Sequence, residues 1–533
     1  MPALSYNEEK SNDLISISEA SKWASEFLNR DISNSNICYL IQYALIRKIV
    51  HNGSSKVSLS ELKKYYEKYK INKFDKWSNE NLNWTLAFDN CKESETTKHV
   101  HRLHPYKGKF IPQLVEYFLD SHIDNFKKDV YFQKNDIVLD PFCGSGTTLV
   151  QANELGLHAI GIEVSVFNTL ISNCKIMTID EHKLKNAIQS ISNIINYNLS
   201  HTNIIDFENE LTEKLNVFNY QYFPNYEYKY AVKNKTINEK QYSKEKEKIF
   251  LSIYLNLIKK YGIDITCCNT SFINKWFLPN IKDELYRVRD YIKYDVYDSE
   301  VKNILFLILS RTMRSCRATT HSDLATLLEP VTATYYCTKH YKICKPIFSI
   351  KKWWETYSRD TLKRLNEFKD LKTNTHQLCI TADSRTVDLE DMLEKENLNL
   401  YNLYKKQKVA GIFSSPPYVG LINYHEQHAY AYELFNLERR EQLEIGSLYG
   451  GQGLEAQNAY VDGISSVLLN CKRYLKKDFN IFLVANDKYN LYPQIAEKAG
   501  LKIVNQYNRP VLNRTEKAKN AYSETIFHLK ESW

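Results

Sequence analysis

Asp140-Pro141-Phe142-Cys143-Gly144-Ser145-Gly146-Thr147-Thr148 is the stretch on which the reading of this chain turns. It follows Asp136-Ile137-Val138-Leu139, a short apolar run that predicts a strand, and it leads into a predicted helix from Thr147 to Leu155. Gly156 closes that helix, and His158-Ala159-Ile160-Gly161-Ile162-Glu163 reads as the next strand. Strand, glycine loop, helix and strand in this order form a βαβ unit of a doubly wound sheet. A Gly-x-Gly loop lets a ligand approach the backbone closely and feeds a helix whose first N–H groups are free. No Gly-Lys-Ser/Thr follows, so the loop is not a phosphate loop of the Walker kind. Sheet-like order returns at Gln377-Leu378-Cys379-Ile380, followed by Asp383. Asp140, Glu163 and Asp383 thus stand at three strand ends. There Asp140 would meet a ligand amino group, Glu163 a pair of ribose hydroxyls and Asp383 an adenine amine. Such a set suits a positively charged, ribose-bearing ligand better than a pyrophosphate.

A second run has equal weight. Val409-Ala410-Gly411-Ile412-Phe413 predicts another strand and ends in Ser414-Ser415-Pro416-Pro417-Tyr418. Two prolines after a strand fix the backbone and remove N–H donors, leaving carbonyls free to accept. With this pair in hand, Asp140 to Thr148 resembles motif I, and Ser415 to Tyr418 motif IV, of S-adenosylmethionine-dependent DNA amino-methyltransferases. These are the modification methylases of bacterial restriction–modification systems, acting on N4 of cytosine or N6 of adenine. His104-Pro105-Tyr106-Lys107-Gly108-Lys109-Phe110-Ile111-Pro112 is similar to the segment that shapes the methionine pocket just before motif I in that family. The resemblance covers about 100–175 and 376–533.

What the resemblance implies is specific. The fold is expected to be α/β, a Rossmann-like class I methyltransferase sheet interrupted by a large, mainly helical insertion. The cofactor is S-adenosyl-L-methionine, held by Lys109, Phe110, Asp140, Pro141, Phe142, Gly144, Ser145, Gly146, Thr147, Thr148, Glu163 and Asp383. The catalytic set is Ser415, Pro416, Pro417 and Tyr418. The Ser415 hydroxyl and the Pro416 carbonyl would accept the two hydrogens of an exocyclic amine, while Tyr418 stacks on the base. The substrate is double-stranded DNA with the target base flipped out, and the methyl group passes directly, by alignment and electrostatics, without a catalytic metal. Serine at the head of motif IV resembles the N4-cytosine enzymes; N6-adenine enzymes more often carry Asp or Asn there, although a Ser hydroxyl also suits adenine. Guanine-N2 methyltransferases acting on RNA usually have an acidic residue before Pro-Pro, and a catalytically silent DNA-binding subunit would not need both motifs. Cys143 lies inside the cofactor loop rather than at the motif IV strand end, which disfavours C5 methylation through a Cys nucleophile and suggests a small buried thiol.

At 533 residues the chain exceeds one ordinary core. Hydrophobic residues at 43% and charged residues at 25% are globular values that argue against extensive disorder. The net charge of +8 is compatible with a polyanionic partner without requiring one. Eleven scattered cysteines do not read as a disulfide framework. Met1 to Lys10 lacks a signal-peptide core, and apolar runs such as Ile304 to Leu309 are too short to span a bilayer, so a soluble, cytoplasmic, nucleoid-associated protein with no membrane contact is expected. A separately encoded restriction endonuclease is the expected accompanying protein.

Four parts are predicted. Residues 1–85 read as helical, with capped starts at Ser16 to Ala24 and again after the Asn29-Arg30-Asp31 turn at Ser33 to Asn36, a helix-turn-helix pattern or an ordinary helical hairpin. Residues 86–175 hold the first part of the methyltransferase sheet and 376–533 the second. Residues 176–375 form the insertion, expected to read the target sequence, with helices at Glu245 to Lys260, Asp283 to Lys293 and Val301 to Thr312. Arg311, Arg314 and Arg317 at spacing three would form a basic helix face, directed at phosphates or guanine edges or simply solvated. Cys337-x2-His340-x3-Cys344 has zinc-like spacing but only three local ligands, with Cys316 a distant fourth, and no metal is assigned. Asp295, Glu300 and Lys302 mimic a nuclease cluster only loosely, without flanking strands.

Overall fold

The computed structural model describes residues 13–28, 32–43, 45–51, 54–74, 82–106, 108–321, 327–511 and 522–532. The polar start of the chain and the turn at 29–31 lie outside the described residues. The chain divides into two compact units, one of 1–81, 203–263 and 319–346, the other of 82–202, 264–318 and 347–533.

The second unit carries a seven-stranded sheet. Its strands are β1 (Ile137–Asp140), β2 (His158–Glu163), β3 (Gln377–Thr381), β4 (Val409–Ser414), β5 (Leu475–Ala485), β6 (Leu501–Val511) and β7 (Tyr522–Glu531). Their order across the sheet is β6-β7-β5-β4-β1-β2-β3. Every neighbouring pair is parallel except those made by β7, which runs antiparallel to both β5 and β6. The predicted βαβ unit is present as β1, the helix Thr147–Glu154 and β2. Every residue of β1, β2 and β4 is buried, as expected of central parallel strands covered on both faces.

Alternation along the strands sorts the two faces. Ile412, Ile481 and Leu483 join a core cluster with Leu389, Leu400, Ile464, Leu468 and Ile495 from flanking helices. Phe413 and Phe482, one residue out of phase, meet Phe118 of the helix Pro112–Leu119, with ring centroids 5.8 and 4.8 Å away.

The insertion is helical but not a single body. Its residues 203–263 and 319–346 fall in the first unit, and the remainder packs with the sheet. The expected helices are longer than their apolar cores suggest: Glu239–Tyr261, Pro279–Asp295 and Ser299–Ser315.

In the first unit the two predicted N-terminal helices appear as Ile17–Leu28 and Asn34–Gln42. They are accompanied by three strands that a helical reading of 1–85 does not contain, Leu14–Ser16, Ile49–His51 and Ser54–Ser58, all antiparallel. His51 pairs with Ser54, and the polarity of Ser54-Ser55-Lys56 hides this pairing from a reading of the sequence. A small core of Ala20, Ala24, Ile37, Leu40, Val57 and Leu62 unites helices and sheet.

Candidate active site

Because β1 and β4 are adjacent and parallel, with Val138 opposite Gly411 and Leu139 opposite Ile412, both of their following loops leave the same edge of the sheet. A direct bond ties them: Ser414 Oγ donates to Asp140 Oδ1 at 2.6 Å. Asp140 also accepts from the Phe142 amide at 3.2 Å. Burial pushes its carboxyl up to about 6, partly offset by these donors.

Between the loops lies a cavity with about 790 Å³ of empty space, open solvent included. Of the residues expected to hold a cofactor, Lys109, Phe110, Pro141, Phe142, Gly144, Ser145, Thr147, Glu163 and Asp383 line it; of the catalytic four, Ser415 and Pro417 do. Asp140, Gly146, Thr148, Pro416 and Tyr418 are not among the residues that line it. Asp140 therefore braces β4 rather than facing the cavity, and Thr148 does the same, its hydroxyl donating to the Phe413 carbonyl at 3.4 Å. The Tyr418 hydroxyl donates to Glu524 Oε1 at 2.8 Å, and Glu524 lies 3.4 Å from the buried Arg509.

The glycine loop has the shape its sequence predicts. Gly144 has φ +52°, and a Cβ there would sit 2.9 Å from the Tyr106 hydroxyl oxygen. Its amide donates to Glu163 Oε2 at 2.8 Å, and the Ser165 amide donates to Oε1 at 3.0 Å. Glu163 thus closes the loop against the end of β2 while lining the cavity. Burial pushes its carboxyl up to about 7, against the pull of the two amides. Asp383 is held by a two-pronged bond from Arg385, Nε to Oδ1 at 2.9 Å and Nη2 to Oδ2 at 2.8 Å. Lys109 Nζ donates to the His101 carbonyl at 2.6 Å, and burial lowers its ammonium to about 8. Cys143 is buried against Gly161, as a small packed thiol would be.

Sequence reasoning missed several residues of this wall. Glu444 lines the cavity as a third carboxylate beside Glu163 and Asp383. It accepts from the Tyr424 amide at 3.2 Å and pairs with the fully buried His425, Nδ1 to Oε1 at 2.5 Å. Tyr424 joins Tyr106 in a stacked pair on the same wall, with centroids 6.1 Å apart. Ser384 binds the Pro141 carbonyl at 2.6 Å. Tyr424 stands shortly after Tyr418 and Ser384 directly after Asp383, but a Tyr or a Ser among many carries no mark in the sequence, and Glu444 lies beyond either motif.

The Arg311 expectation is overturned. Arg311 is buried; its Nη2 meets Asp360 at 2.5 Å and its Nη1 the Thr361 hydroxyl at 2.9 Å, with Tyr357 under its guanidinium. Arg317 lies beyond the helix end at Ser315, also buried, over the Tyr430 ring. Neither forms an exposed basic face.

The wall suits S-adenosylmethionine. Three carboxylates match a cationic ligand with ribose hydroxyls and an amino group. The Ser145 hydroxyl, buried in the same wall, has no hydrogen-bond partner among the described residues, as a donor or acceptor kept for a ligand would.

Comparison with known proteins agrees. The N6_N4_Mtase family model, described as a DNA methylase, matches residues 19–172. The chain is 44% identical over 525 residues to the type II methyltransferase M.MjaII of Methanocaldococcus jannaschii, covering 97% of each. It is 32% identical over 127 residues to the type II methyltransferase M.MvaI of Kocuria varians, covering 24% of this chain and 25% of the relative. With M.BsoBI of Geobacillus stearothermophilus, another type II methyltransferase, it shares 33% over 72 residues, 14% of this chain and 13% of the relative. Among the described residues no helix is long and apolar enough to cross a membrane. Near full-length identity to such an enzyme, a largely parallel sheet and a cavity suited to the methyl donor lead to one conclusion: the chain belongs to the N6/N4 DNA methylase family of type II methyltransferases, which use S-adenosyl-L-methionine.

Proposed function

We infer that this enzyme methylates the N4 amine of cytosine in double-stranded DNA. The observation that carries the reading is Ser415. It follows β4, directly beside β1, and lines the same cavity as the glycine loop. S-adenosylmethionine, when bound, supplies an electrophilic methyl group on a sulfonium. The Ser415 hydroxyl and the Pro416 carbonyl accept the two amine hydrogens, so the nitrogen lone pair is directed at the methyl carbon. The prolines hold these acceptors still, so little reorganisation is needed during transfer. Tyr418, its hydroxyl anchored on Glu524, stacks on the flipped base. Glu163 accepts from the ribose hydroxyls, Asp383 from the adenine amine, and the loop amides around Gly144 to Thr147 pack against the methionine portion.

Reading of the DNA sequence is assigned to the first unit. That unit unites the predicted helix pair with 203–263 and 319–346 of the insertion, two segments singled out for DNA contact. A companion endonuclease, separately encoded, would share the target sequence.

Nucleoside mass spectrometry on DNA from cells expressing the chain tests the base. N4-methylcytosine is expected; N6-methyladenine alone would transfer the reading to the adenine branch. Single-molecule sequencing of the same DNA identifies the target sequence.

A further inference from the structure

We propose that the first unit contains a structural zinc site formed by His321, Cys337, His340 and Cys344. The sequence offered three of these ligands and a poor fourth in Cys316. Folding supplies His321 instead, and one ligand atom from each of the four lies within 4.8 Å of every other. Cys316 belongs to the sheet-bearing unit.

The local fold shows how the ligands converge. Tyr335–Cys337 and Lys342–Cys344 form an antiparallel hairpin, Tyr335 opposite Cys344 and Cys337 opposite Lys342. In the turn the Cys337 carbonyl accepts from the His340 amide at 3.1 Å and the Tyr341 amide at 2.7 Å. Tyr341 takes φ +54°, a left-handed conformation that completes the knuckle. This turn carries the His340 ring back over the strands. His340 Nδ1 then lies 3.4 Å from Cys337 Sγ and 3.7 Å from Cys344 Sγ. The His321 ring packs edge-on to His340 with centroids 4.5 Å apart, and the Tyr335 hydroxyl fixes it through Nδ1 at 2.8 Å.

These distances have the right size. Zinc bonds of roughly 2.3 Å to sulfur and 2.05 Å to nitrogen, at tetrahedral angles, place S and N about 3.6 Å apart. The two sulfur–nitrogen distances bracket that value. Two thiolates and two neutral imidazoles would neutralise the ion, and four protein ligands leave no open position, which marks a structural site. Binding would release the two thiol protons.

The hairpin also has a use for such a clamp. Its own strands contribute a small buried cluster of Tyr335, Cys337 and Cys344, with Val331 packed against it. Ile343 is also buried and Tyr336 packs on Phe223 with centroids 5.6 Å apart, but a two-stranded hairpin by itself is marginal in water. Asn219 holds one strand, its amide nitrogen donating to the Ile343 carbonyl at 3.0 Å and its oxygen accepting from the Ile343 amide at 2.9 Å. A metal would fix the turn and the other strand.

The test uses the full chain, purified without chelator. Elemental analysis is expected to find about one zinc per chain, falling to background in the double variant Cys337→Ser/Cys344→Ser. Since that variant can fail to fold, the wild-type chain is also stripped of metal and reconstituted with Co2+. Visible d–d absorption of tetrahedral cobalt, with thiolate-to-cobalt charge transfer, is expected, and both should bleach on adding Zn2+. Wild-type protein with no zinc and no such cobalt spectrum overturns the proposal. So does a zinc content unchanged in the double variant, or a Cys337–Cys344 disulfide in the purified protein. None of these readouts depends on methyl transfer.

Discussion

Glu163 should make cofactor affinity depend on pH in a way few surface carboxylates would. Its carboxyl, buried and pushed up to about 7, is partly protonated near neutrality. In the proposed role the ionised form would accept hydrogen bonds from ribose hydroxyls and attract a cation, and the protonated form would give up an acceptor site and the charge. Affinity should therefore rise with pH. With a value near 7 about one molecule in eleven is ionised one unit below it and about ten in eleven one unit above, so the dissociation constant should fall about tenfold from pH 6 to pH 8. Glu163→Gln removes the titration. Its amide keeps one acceptor oxygen for the two amides of Gly144 and Ser165 that Glu163 now binds at 2.8 and 3.0 Å. Losing one charge-assisted bond costs about 1.5–3 kcal/mol, or roughly 10- to 150-fold in affinity at pH 8. Isothermal titration calorimetry with S-adenosylmethionine at several pH values measures both effects. A wild-type affinity flat across this range, or a Gln variant that binds as tightly as wild type at pH 8, would refute the reasoning.

Other expectations follow from the same geometry. If Ser415 accepts from the target amine as proposed, Ser415→Ala should slow methyl transfer by roughly 10- to 150-fold while cofactor affinity changes little; equal loss of both, by single-turnover kinetics and calorimetry, would make Ser415 a cofactor residue instead. Gly161→Ala places a methyl group against Cys143, whose Cβ would be 2.9 Å away, and should destabilise the fold by about 1–3 kcal/mol in urea denaturation. Adding Cys143→Ala should recover part of that loss, and no recovery would mean that the strain lies elsewhere. Arg311→Ala breaks the buried pair with Asp360 and should cost about 3 kcal/mol in the same assay. A stable Arg311→Ala protein whose DNA affinity loses salt dependence would restore the phosphate-contact reading.

Much of the sheet was legible because its signals are local. The run Ile137 to Glu163 is a complete strand, loop, helix and strand, and each step depends on neighbours in the chain. Gly144 needs a left-handed φ wherever this loop is placed. The N-terminal strands were harder to see, since Ser54–Ser58 lacks the apolar alternation by which a half-buried strand is recognised. The division of the insertion was not legible at all. Helical periodicity reports that a face is buried, not which body buries it.

Sequence alone determined the glycine loop, the Ser-Pro-Pro-Tyr turn and the acid at the end of β2, because backbone conformation and short-range hydrogen bonding specify such features. Tertiary structure decided what they meet. It turned Asp140 inward to Ser414, brought Glu444 and Tyr424 to the cavity, and withdrew Arg311 from solvent. It also exchanged Cys316 for His321 beside Cys337, His340 and Cys344. Each of these outcomes depends on proximity between residues far apart in the chain. Such proximity is set by the packing of whole elements, and spacing along the sequence carries no measure of it.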